Sequence, residues 1–141
     1  MKILLVYFSE TGHTQKVSTL ICDKLKEKTI DITLLESAEL KQEHLSNIDL
    51  LLIGTPVHGL FLFAQNASKQ IRKAVDRITN ELKNKKVIIF ATYLFFPAKA
   101  LQKLENKIKN SNGIVLDSLA EHRRNKEELA NAVIEKITES S

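Results

Sequence analysis

Short apolar runs alternate along this chain with amphipathic stretches, and the runs stand too far apart to be joined as hairpins. Ile3-Leu4-Leu5-Val6-Tyr7-Phe8 is continuously apolar, the pattern of a strand covered on both faces. Leu50-Leu51-Leu52-Ile53, ending at Gly54, and Val87-Ile88-Ile89-Phe90-Ala91 read the same way. Ile30, Ile32 and Leu34 alternate with Asp31 and Thr33, which predicts a less buried strand near an edge, and Gly113 precedes a short fifth run, Ile114-Val115-Leu116. Between these runs the spacing turns helical: Val17, Leu20, Ile21 and Leu25; then Ile71, Ala74, Val75, Ile78 and Leu82. Leu101, Leu104 and Ile108 follow Pro97, a residue suited to a first helical turn, and Leu129, Ala130, Val133, Ile134 and Ile137 close the chain. The segment between Glu36 and Asn47 reads as loop or short helix. Strand and helix in repetition predict an α/β fold: five parallel strands, helices on both faces, three layers, and one domain over residues 1–141.

Composition narrows the function classes. No run of apolar residues is long enough to span a bilayer, and no apolar segment ends in a small-residue cleavage site, so a cytoplasmic protein without a membrane partner is expected. Cys22 is the only cysteine, which forbids an intramolecular disulfide and fits a reducing compartment. The net charge is +4 but unevenly spread: residues 69–109 hold eleven basic and three acidic side chains. Such a stretch is either a solvated face or a docking surface for an acidic partner. It lacks interleaved exposed aromatics or a reading motif, so nucleic acid is not an expected partner.

In open α/β sheets ligands bind beyond the carboxyl ends of the strands. The loops after the first, third and fourth strands, residues 9–14, 55–66 and 92–97, are therefore the places to look. The first, Ser9-Glu10-Thr11-Gly12-His13-Thr14, offers three hydroxyls, a permissive glycine and the free amides of a helix start, which together suit a phosphate without any lysine or arginine. Its plainer reading is an ordinary helix cap. No G-x-G-x-x-G and no G-K-[ST] occurs, an aspartate is missing after the third strand where a receiver domain needs one, and the first loop lacks the cysteine of a small tyrosine phosphatase. The four histidines have no paired ligand spacing, so no metal site is expected.

The first loop resembles the phosphate loop of flavodoxins, S/T-x-T-G-x-T, at every fixed position: Ser9, Thr11, Gly12 and Thr14. The resemblance implies a flavodoxin-like three-layer sandwich with strand order 2-1-3-4-5 and flavin mononucleotide (FMN) as cofactor. It also implies that Glu10 and His13 serve through their backbone amides. The second loop, Thr55-Pro56-Val57-His58-Gly59, is placed by the resemblance against the flavin ring, with Gly59 at a position whose peptide turns over on reduction and His58 flanking the ring. His58 reads equally well as a surface histidine in a turn. In the third loop Thr92 and Tyr93 fit the family pattern and Phe95 falls where a stacking aromatic is common, but Leu94 and Phe96 stand where flavodoxins carry glycines. The implied function is an electron carrier that serves redox partner proteins, here with an acidic docking face because this chain is basic where known flavodoxins are acidic. Two alternatives remain: an NAD(P)H-dependent flavin or quinone reductase, and a flavin-free module that binds a partner through Leu60-Phe61-Leu62-Phe63.

Overall fold

The computed structural model describes residues 1–58, 66–94 and 100–141. Among these, strands β1 (Lys2–Tyr7), β2 (Asp31–Glu36), β3 (Leu50–His58), β5 (Lys86–Tyr93) and β6 (Ile114–His122) form a parallel sheet in the order β2-β1-β3-β5-β6. A two-residue strand, β4 (Asn66–Ala67), pairs antiparallel with the far end of β3. Helices α1 (His13–Glu27), α2 (Lys69–Arg77), α3 (Ala100–Asn110) and α4 (Lys126–Ser140) follow β1, β4, β5 and β6. Setting the short β4 aside, this is the expected 2-1-3-4-5 order.

The apolar runs build two cores because alternate strand residues face opposite sides. Ile3, Leu5, Leu52, Ile88 and Phe90 meet Val17, Ile21 and Leu25 of α1 and Leu129, Val133 and Ile137 of α4. Leu4, Val6, Leu51, Ile53, Val87 and Ile89 face the other way, onto Ile71 and Val75 of α2 and Leu104 and Ile108 of α3. The central strands are apolar without interruption for this reason: each residue has a helix over it. The edge strand β2 keeps only Ile32 fully buried, as its alternating pattern implies.

The stretch after Glu36, expected as loop or short helix, forms two short 3-10 turns, Ser37–Glu39 and Gln42–Leu45, with Leu40 and Leu45 buried. Three elements run differently from the sequence reading. Helix α2 stops at Arg77, and the stripe continues because a 3-10 turn, Thr79–Glu81, keeps Ile78 and Leu82 inside. The third and fifth strands are longer than their apolar runs. β3 continues through Thr55-Pro56-Val57-His58, and β6 continues through Asp117 to His122.

Gly54 is required by packing. A Cβ at this position would run into the ring of Phe90, which is completely buried on the adjacent strand. The Phe90 ring packs within the core, so it can move only by displacing its neighbours. Gly54→Ala is therefore expected to destabilise the protein by about 1–3 kcal/mol through overpacking, read as a lower urea midpoint with an unchanged slope.

Candidate functional site at the carboxyl edge of the sheet

Parallel pairing brings the ends of β1, β3, β5 and β6 to one edge, and there an open cleft lies between them. Glu10, Thr11 and His13 line it from the β1–α1 loop, Pro56 and Val57 from β3, Thr92, Tyr93 and Leu94 from β5, and Arg123 from beyond β6. The loop is anchored from behind: the Phe8 amide donates to the Gly54 carbonyl at 3.2 Å, and the Gly12 amide donates to Ser9 Oγ at 3.0 Å. Gly12 has φ +89°, a left-handed conformation suited to glycine, and nothing lies within 4 Å of where its Cβ would be. It occupies the N-cap position of α1 and, being glycine, offers that helix no side-chain cap. Ser9, Thr11 and Thr14 are therefore not the N-cap residue, and Ser9 instead accepts from the N-cap amide. The helix start, with no acidic residue in its first turn, keeps amide donors for an acceptor from outside.

Thr14 is buried and lies behind the loop. Its Oγ1 is 3.0 Å from Oγ1 of Thr92, which is also buried, and its carbonyl accepts from Ser18 Oγ at 2.8 Å. The hydroxyl pair ties the α1 start to the end of β5 across the sheet. Thr55 is likewise turned inward: Oγ1 accepts from the Ser68 amide at 3.0 Å and donates to the Pro56 carbonyl at 2.9 Å. Ser68 in turn caps α2, accepting from the Ile71 amide. Thr14, Thr55 and Thr92 thus hold the three segments in register, while Glu10 and Thr11 are exposed and Ser9, Gly12 and His13 half-exposed at the mouth. His58 closes β3, paired with Asn66. The His58 side chain, Gly59, Leu60–Phe63, Phe95, Phe96 and Pro97 lie outside the described residues.

The sequence reading missed the fourth wall. Tyr93 stands edge-on to His122, with ring centroids 5.9 Å apart, and its carbonyl accepts from the Arg123 amide at 2.8 Å. The run His122-Arg123-Arg124 was the available signal; the unrecognised length of β6 left it away from the site.

His13 feels this wall. Its pKa lies below the ordinary 6.5, first through burial and then through the positive charges of Lys126, Arg123 and Lys16 and the neighbouring His122. Its Nδ1 is buried with no hydrogen-bond partner among the described residues. An unpartnered imidazole nitrogen, a helix start whose N-cap is glycine and a glycine turn open toward solvent suit a phosphate. Pro56, Val57, Tyr93 and Leu94 beside them suit the apolar body of a planar ring. The residues present thus fit a phosphorylated aromatic cofactor.

Two expectations follow from this geometry. Thr92→Val leaves the buried Thr14 hydroxyl without its partner and should cost about 1–3 kcal/mol, whereas adding Thr14→Val should cost less than the sum of the two single changes in a denaturant double-mutant cycle. His13 should titrate below 6.5 in the flavin-free protein, followed by its ring-proton NMR signals. Since the unfolded chain then binds this proton more readily, stability is full above the unfolded pKa near 6.5, falls as pH drops through it, and levels off below the folded value. His13→Gln should remove that component of acid destabilisation.

Comparison with known proteins agrees with this reading. A curated flavodoxin from Clostridium beijerinckii is 25% identical over 118 residues, covering 84% of this chain and 82% of the relative. The fold superposes on the flavodoxin of Megasphaera elsdenii in its two-electron reduced state with a TM-score of 0.78 at 18% identity, covering 94% of this chain and 98% of the other. Oxidised flavodoxin 1 of Bacillus cereus superposes with a TM-score of 0.77 at 15% identity, covering 98% of each chain. The family model describing a flavodoxin domain matches residues 4–132, and with the site at the carboxyl edge of a 2-1-3-4-5 sheet, this chain belongs to the flavodoxin family.

Proposed function

We propose that this chain works as a small FMN-binding electron-transfer protein, with the cofactor seated in the cleft at the carboxyl edge. The observation that carries the reading is the β1–α1 loop: a flavodoxin phosphate motif that turns at Gly12, in front of a helix whose N-cap residue is that glycine. When bound, FMN supplies the redox chemistry. The protein's part is to bind and orient it. Ser9 holds the loop closed through the Gly12 amide, and the exposed Thr11 hydroxyl with the first amides of α1, beginning at His13, receives the phosphate. Glu10 lies in the same loop and contributes its backbone amide. Pro56, Val57, Tyr93 and Leu94 flank the ring, and Thr14, Thr55 and Thr92 fix the walls from behind. His58, Gly59 and Phe95 complete the ring side in this reading.

The carrier serves redox partner proteins. Its basic charge favours a partner with an acidic docking face, and Arg72, Lys103 and Lys107 share a surface cleft between α2 and α3 that fits one. No helix among the described residues is long and apolar enough to cross a membrane, and the cytoplasm, with Cys22 buried and reduced, is the compartment this reading assigns. Neither a reductase nor a flavin-free module is favoured by the family match.

Titration of the purified apoprotein with FMN tests the reading. Flavin fluorescence should be quenched at one FMN per chain, and Thr11→Ala should weaken binding about ten-fold or more by removing a hydrogen bond to a charged group. A folded apoprotein that leaves FMN fluorescence untouched would leave the partner-binding module as the better account.

A further inference from the structure

The β1–α1 loop contains no lysine or arginine, yet the structure surrounds it with cations from elsewhere in the chain. β6 ends at His122, and the Arg123 amide is hydrogen-bonded to the end of β5. The turn that follows is fixed by several bonds. The Arg124 amide donates to His122 Nδ1 at 3.1 Å, the Asn125 amide to the His122 carbonyl at 2.8 Å, and Lys126 Nζ to the Arg123 carbonyl at 2.6 Å. Arg123 is half-buried and lines the cleft together with Thr11 and His13. The positive charges of Lys126 from α4 and Lys16 from α1, and His122 from β6, bear on the same histidine and oppose its protonation. Glu10 is the acidic side chain that shares the cleft.

Several cations of the basic stretch 69–109 have partners of their own. Arg77 donates to the carbonyls of Ser37 and Leu40, Arg72 donates to the Ala67 carbonyl, and Lys107 and Lys109 pair with Asp76 and Glu105. The group at the β6–α4 turn instead concentrates positive charge on a loop that offers only amides and hydroxyls. Like charges held together oppose folding, and a dianion in their midst relieves that repulsion further than the single charge of Glu10 does.

We propose that Arg123, backed by Lys16 and Lys126, supplies the counter-charge to the flavin phosphate, so that this chain grips the dianion with cations as well as with its loop. The inference rests on the FMN reading above and adds a residue to it. Its consequence is selectivity: the protein prefers FMN over riboflavin, which has the same ring and ribityl chain but no phosphate, and part of that preference is electrostatic. Salt screens an exposed or half-buried charge pair, so the preference shrinks as ionic strength rises. His13 sits within the same group, and a bound dianion offsets the charges that now oppose its protonation.

Parallel fluorescence titrations with FMN and with riboflavin, at low and high sodium chloride, provide the test. Arg123→Gln should lower FMN affinity about ten-fold, the loss of one charge-assisted contact, and leave riboflavin affinity within about two-fold. Arg123→Lys keeps the charge and should retain most of the preference, which excludes a merely structural effect. Wild-type selectivity for FMN should fall between low and high salt, and the Gln variant should show a shallower dependence. Equal losses for both flavins, or FMN binding by Arg123→Gln with wild-type affinity and salt dependence, would overturn the inference while leaving the FMN reading intact. A wild-type protein that binds neither flavin would overturn both.

Discussion

The parallel pairing of β3 with β1 on one side and β5 on the other is the constraint on which the rest of the molecule depends. Tyr7, Gly54 and Phe90 stand in one row across the three strands; β1 ends there, and β3 and β5 run on in the same direction to His58 and Tyr93. The loops that leave them must then share one edge, and connections long enough to return for the next parallel strand must carry helices over the faces. The two cores, with α1 and α4 on one side and α2 and α3 on the other, are the consequence. Gly54 shows how little slack the row has, since the Phe90 ring takes up the volume beside the glycine.

From that row the site is held together by buried hydroxyls. The hydroxyl pair of Thr14 and Thr92 joins the base of the phosphate loop to the end of β5. Thr55 performs the same service between β3 and the cap of α2. Buried hydroxyls need partners, and here each partner lies on a different segment, so satisfying the hydrogen bonds also fixes the geometry. The S-x-T-G-x-T motif therefore divides its labour: Thr11 is exposed at the mouth, and Thr14 is structural support three residues on.

Much of this was legible from the sequence because the central strands are apolar on both faces, and their helices carry regular stripes. The strand order and the first loop could be anticipated from the motif it resembles. The strand ends could not. Pro56 reads as a breaker, yet it sits near the end of β3, level with Thr92, where the missing amide is tolerated. β6 hid for another reason. It is an edge strand with every residue from Val115 to His122 only half-buried, so no alternation marks it, and polar Asp117, Ser118 and Glu121 interrupt the run. A register shift opposite Val87 and Ile88 adds an extra residue, Leu116, where the readable apolar run stops.

That hidden length decides the electrostatics of the cleft. A fifth strand ending at Leu116 would leave the basic turn at residues 122–126 several positions beyond the sheet, with no reason to face the loop. Continued to His122, the strand carries Arg123 level with Tyr93 and delivers its charge to the side of the cleft where His13 stands. The loop itself has to approach a ligand with its backbone, and a lysine or arginine within it would compete for the space that Gly12 leaves open. Bringing the charge from a neighbouring strand end separates the two demands: the loop keeps its close approach, and the field comes from a turn held by hydrogen bonds of its own.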